Sequence, residues 1–249
     1  MMLGKWFRRK EPDVEQPETD RDALLTAAVA EQRAKNPLAG AQVAGKDILA
    51  RLMDVSRDER GVHVETLFMA LGAVAGFACQ ISVRAIAAAE GREPPFTIAT
   101  TADGRSVYFG DALNAPLAED RYSVWSLAAA AVETSGAPLP DLHELFGHVA
   151  KTVGSAEFGR PRYPEGTGSA TLPEAVVRDF WPVIADVLGR FCGAPGEWPV
   201  AGGLAIQEAI ELARSAIAPD TACRIAMETA IAMSKIDPSE VGISVPRTA

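Results

Sequence analysis

Residues Thr66–Val83 read TLFMALGAVAGFACQISV, eighteen residues without a formal charge. Apolar side chains occur all round this run, and a helix of that kind is buried in a protein core or embedded in a membrane. Eighteen uncharged residues is the lower limit for a membrane span. Glu65 and Arg84 bracket the run tightly, Gln80 and Ser82 lie within it, and no second such segment occurs in the chain. The reading is therefore a buried core helix over about Val64–Ala89, with no stable membrane insertion. Gly72 and Gly76 form a Gly-x-x-x-Gly pair on it. Two glycines cost a helix about 1 kcal/mol each, and their use is to let a neighbouring backbone approach closely.

Working outward, other helices are expected over about 22–35, 42–55, 122–134, 141–153, 172–191, 203–217 and 220–235. The β signal lies between two of them. Phe96–Thr101 and Ser106–Phe109 flank Ala102-Asp103-Gly104-Arg105, whose Asp-Gly pair suits the φ > 0 positions of a tight hairpin. Two strands alone are marginal in water, so the hairpin must pack on helices or pair with a second copy. The fold class is mainly α: a multi-helix array around a buried central helix with one β-hairpin insertion at about 96–109. Residues 1–21 read as a disordered tail, 22–236 as a single helical domain, and 237–249 as a C-terminal tail.

The net charge of −9 over 249 residues excludes a basic nucleic-acid footprint. The N-terminal MMLGKWFRRK has a basic cluster but no apolar stretch after it, unlike a secretory signal. Cys79, Cys192 and Cys223 are far apart and odd in number, with no metal-type CxxC spacing. They read as free thiols in a reducing compartment, which places the chain in the cytoplasm. A homo-oligomer, a dimer in the first instance, is expected, with the hairpin or the glycine face of the central helix near the seam.

Chemistry is suggested at three places. The first is Asp141-Leu142-His143-Glu144-Leu145-Phe146-Gly147-His148. Asp141 and Glu144 have the form of a helix capping box, and Leu142, Leu145, Phe146, Val149 and Val153 make one apolar stripe. Glu144 and His148 are then i, i+4 neighbours that can pair. His143 and His148 lie about 140° apart round a regular helix, which splays two imidazoles rather than aiming them at one ion. The second is the loop Phe158–Gly168, FGRPRYPEGTG, in which Arg160 and Arg162 can clamp a carboxylate or phosphate ligand. The third is Glu228, a carboxylate among apolar neighbours, for which Arg224 at i−4 is the nearest partner in sequence.

Pro140–His148, PDLHELFGH, resembles the iron-binding helix of the pterin-dependent aromatic amino acid hydroxylases. The resemblance implies His143 and His148 as ligands to a non-haem Fe(II), completed by a carboxylate on a later helix in a facial triad. After Phe180-Trp181 that carboxylate is Asp186, one place out of register, with Ala185 at the nominal position. Ala150 stands where the family has a proline, and nothing upstream resembles its pterin-binding region. Besides a membrane-associated factor that would use the N-terminal basic segment and the Gly72-x-x-x-Gly76 helix, two functions are carried forward. One is a binding or assembly module. The other is a mononuclear metal enzyme holding Fe(II) or another divalent metal at His143, His148 and Asp186.

Overall fold

The computed structural model of the chain describes residues 17–245, with side chains from residue 23 onward. The helices are α1 (Pro17–Gln32), α2 (Ala39–Val55), α3 (Val64–Ala89), a short α4 (Asp111–Asn114), α5 (Val124–Ser135), α6 (Leu142–Thr152), α7 (Pro173–Phe191), α8 (Glu197–Ala213) and α9 (Pro219–Met233). Two antiparallel hairpins interrupt them: β1 (Arg57–Asp58) with β2 (Gly61–Val62), and β3 (Thr97–Thr100) with β4 (Ser106–Phe109). The mainly α array around a buried central helix is thus observed.

α3 has the expected bounds and is the axle. Its residues from Leu67 to Gln80 are all buried, Gln80 included. It is, among the described residues, the one helix long and apolar enough to cross a membrane, and 83% of that window is buried inside the protein itself. The glycines explain how. A Cβ on Gly72 or Gly76 would overlap the backbone of Ala226 or Ala230 on α9. On the neighbouring face of α3, a Cβ on Gly202 of α8 would stand 2.8 Å from the Cβ of Ala75. Small residues thus let three helix backbones approach with only methyl groups between them, a geometry that bulky side chains would forbid. The glycine face expected near a dimer seam is filled by α9 of the same chain.

Several local details differ from expectation. α1 starts at Pro17, so residues 17–21 are helical; residues 1–16 of the expected tail lie outside the described residues. α8 starts at Glu197, six residues before the expected Gly203, and carries Trp198-Pro199 in its first turn. Proline is tolerated there because those N–H groups have no intrahelical acceptor. Residues 111–119, outside the expected helices and strands, form α4 and a π turn at Ala115–Glu119. The charged turn after α2 carries the β1–β2 hairpin, where His63 Nε2 lies 2.8 Å from Asp58 Oδ2.

The β3–β4 hairpin forms about the expected turn, with Gly104 at φ +86°, and its register sets Ile98 opposite Tyr108. Its two edges differ. Tyr108 donates its N–H to the Lys235 carbonyl at 2.9 Å, and Val107 bridges to Ile236, so the segment after α9 closes the β4 edge. Gln80 pins that segment from below, its amide donating to the Ser234 and Ile236 carbonyls at 3.0 and 2.9 Å. Within the expected C-terminal tail, residues 237–245 are held against the fold, with a 3-10 turn at Pro238–Val241; residues 246–249 lie outside the described residues.

Candidate functional site

Asp141 caps α6 as its position demands, its carboxylate accepting from the His143 and Glu144 N–H groups at 2.9 and 3.4 Å. Leu145 and Val149 are buried, and Phe146 packs half-buried beside them. The apolar stripe therefore faces the core, His143 is exposed and His148 half-buried. Glu144 does not complete the capping box by reaching back to its own helix. Its carboxylate accepts from both terminal nitrogens of Arg162, at 2.7 and 2.8 Å.

Arg162 is the point at which the three chemical candidates meet. Its Nε donates to Glu228 Oε1 at 2.6 Å, and its backbone N–H donates to Glu228 Oε2 at 2.7 Å. Glu228 is 1% exposed. An ionised carboxylate at that depth is costly unless paired and hydrogen-bonded, and Arg162 does both. The expected partner at i−4, Arg224, does not bond it; the Arg224 Nε is buried without a hydrogen-bond partner among the described residues. Arg162 holds the Glu144 carboxyl below the usual carboxylate range by hydrogen bonding, against some desolvation. The network ties α6, the 158–168 loop and α9 together. Arg162 is thereby engaged by the protein's own carboxylates, while Arg160 lies exposed.

The proposed metal ligands are not gathered. Asp186 sits on the exposed side of α7 and pairs with Arg190 four residues on. Among the described residues no group of three or more His, Cys, Asp or Glu side chains is placed to hold a metal ion. The cysteines are free. Burial pushes the Cys192 and Cys223 thiols up to about 12 and raises Cys79 as well, which leaves little thiolate for nucleophilic chemistry.

Three features lay beyond sequence reasoning. Lys235 is 6% exposed, with its Nζ 5.2 Å from the Phe109 ring centre and 5.9 Å from that of Phe146. Burial brings its ammonium down to about 8. The second feature is the β3 edge. Since Tyr108 turns its N–H outward from the hairpin, its cross-strand neighbour Ile98 turns its own N–H and C=O to the opposite, open side. All four β3 residues are exposed, Ile98 by 61%. The third is a cavity of about 550 Å³ between the end of α3, the hairpin and residues 237–245. Arg84, Tyr108 and Asp237 line it. Nothing local in sequence connects residues 84, 108 and 237; an arginine ending an uncharged run is the sole signal. Compared with known protein families, curated proteins and solved structures, the chain matches none.

Proposed function

We propose that this chain is a binding and assembly module that works as a homodimer, two copies joining β3 to β3 into a four-stranded sheet. The open β3 edge is the observation that supports it. Natural edge strands are guarded by lysine, proline, bulges or covering elements, because free N–H and C=O groups template pairing. Thr97-Ile98-Ala99-Thr100 carries no lysine, proline or bulge and, among the described residues, no covering element, whereas the β4 edge of the same hairpin is closed by residues 235–236. Antiparallel pairing about a two-fold axis through Ala99 sets Ile98 of one copy beside Thr100 of the other and buries the exposed Ile98 side chain. A four-residue strand gives a small interface, so the dimer is a reversible one. Three unpaired thiols accord with work in a reducing compartment, the cytoplasm.

Sedimentation velocity over a concentration series tests this reading. The wild type populates a dimer as concentration rises, and Ile98→Lys, which adds an edge guard at an exposed position, stays monomeric with an unchanged circular dichroism spectrum. A wild type that is monomeric throughout, or a dimer indifferent to Ile98→Lys, sinks the proposal.

A further inference from the structure

The cavity at the end of α3 is formed by one copy alone and does not depend on β3 pairing. Its volume of about 550 Å³ falls in the range of small-molecule sites. Arg84 is positioned on its wall before any ligand arrives. The guanidinium carbon lies 4.5 Å from the Tyr108 ring centre and 5.0 Å from that of Phe96. The two rings meet edge to face at 5.7 Å, a stable aromatic arrangement. Nε makes a long contact of 3.4 Å to Gln80 Oε1, and Nη2 is buried with no hydrogen-bond partner among the described residues. The rest of the Arg84 side chain lines the cavity, and the planar fork of arginine matches a carboxylate.

The opposite charge is supplied on the same wall. Asp237 accepts from the Ser239 N–H and hydroxyl at 2.9 and 2.7 Å and from the Tyr108 hydroxyl at 3.2 Å. Burial raises its pKa, but these donors and the Arg84 charge outweigh burial, and the carboxyl stays below the usual range and ionised. Oδ2 takes one hydrogen bond and retains acceptor capacity for a cation. On the exposed rim Arg92 pairs with Glu90. A plain anion would meet the Asp237 carboxylate, and a plain cation the Arg84 guanidinium. A molecule carrying both charges meets neither penalty.

We propose that this cavity binds a small zwitterion, an amino-carboxylate, with Arg84 receiving the carboxylate and Asp237 the ammonium. Proline and aliphatic side chains (Pro94, Pro238, Ile243) line the remaining wall and leave room for a short apolar substituent.

The test is titration calorimetry of the full chain with the proteinogenic amino acids singly, and in parallel with acetate, methylamine and inorganic phosphate. At least one amino acid is expected to bind saturably, and the single-charge probes at least tenfold more weakly. Arg84→Met, which keeps the apolar stem, and Asp237→Asn are each expected to weaken that binding at least tenfold; Ile98→Lys is expected to leave it unchanged, which separates this site from the dimer. Circular dichroism and thermal unfolding check each variant, and if Arg84→Met does not fold, Asp237→Asn decides. Absence of binding by every amino acid overturns the proposal. So does acetate or phosphate binding as tightly as any amino acid, or a folded Asp237→Asn of undiminished affinity.

Discussion

Replacing Gly76 with alanine sets two known effects against each other. Alanine favours a helix interior over glycine by about 1 kcal/mol, so the substitution stabilises wherever the new methyl has room. At Gly76 it has none: the added Cβ would overlap the carbonyl oxygen of Ala230, a backbone atom of α9 that cannot rotate aside. Relief requires α3 and α9 to separate, which also loosens the neighbouring contacts of the crossing. Overpacking of this kind costs about 1–3 kcal/mol and more where backbone is the obstacle. The net expectation is a loss of about 1–2 kcal/mol after the propensity gain. Gly147 supplies the control. It lies in the middle of α6 with nothing within 4 Å of an added Cβ, so Gly147→Ala should gain about 0.5–1 kcal/mol. Urea titrations at one protein concentration measure both, since a dimer would make the midpoint concentration-dependent. Equal m-values certify that the folded states are comparably compact. Gly72→Ala with Gly76→Ala should cost less than the sum of the two, because helices already spread by one methyl accommodate the second. Stabilisation by Gly76→Ala to the same degree as Gly147→Ala would refute the close α3–α9 crossing.

Two further outcomes concern charge. Arg162→Met removes the guanidinium from Glu228, 1% exposed, and leaves it the backbone N–H of residue 162; with Arg162 itself about a third exposed, the expected cost is about 2–3 kcal/mol, below that of a fully buried pair. Adding Glu228→Gln should recover part of it, whereas Glu144→Gln alone, at the exposed end of the network, should cost well under 1 kcal/mol; an additive Arg162/Glu228 double mutant in urea unfolding would show that the two do not act as a pair. Lys235 has its folded-state pKa depressed from 10.5 to about 8, so between those values the unfolded chain binds more protons and stability rises with pH. Below about pH 8 the buried ammonium costs on the order of 3 kcal/mol, and Lys235→Met should therefore stabilise the neutral-pH protein. Subtracting the Lys235→Met pH–stability curve from that of the wild type isolates this term from the buried thiols and Tyr163, whose raised pKa values act in the opposite sense; a flat difference between pH 8 and 10.5 contradicts the burial of the amine.

What was legible beforehand is what neighbours in sequence decide. The absence of charge over Thr66–Val83 bounds α3 and buries it, because no charged side chain over that length offers a solvated face. The Asp103-Gly104 pair sets the hairpin turn, since a left-handed turn residue is a local requirement. Asp141 at the head of an apolar stripe starts α6. Even the need for a tight helix crossing is written in Gly72 and Gly76, though α9 as the helix that fills it is not.

The site belongs to the tertiary structure. The i, i+4 rule pointed Glu228 to Arg224 and Glu144 to His148. The fold gives both carboxylates to Arg162, which is 66 residues from the first and 18 from the second. Burial makes the difference: a carboxylate in the core must be matched by whichever cation packing delivers with the best hydrogen-bond geometry, and sequence distance carries no weight once the chain is compact. The same holds for Arg84, Tyr108 and Asp237, unremarkable one by one and assembled only where α3, the hairpin and the segment after α9 come together. Local sequence determined the helices, their faces and the turn between two strands, because those depend on periodicity and backbone preference. Partnership of charges, the closing of one sheet edge and the opening of the other, and the cavity beneath the hairpin were decided by packing, because they depend on which distant residues desolvate together.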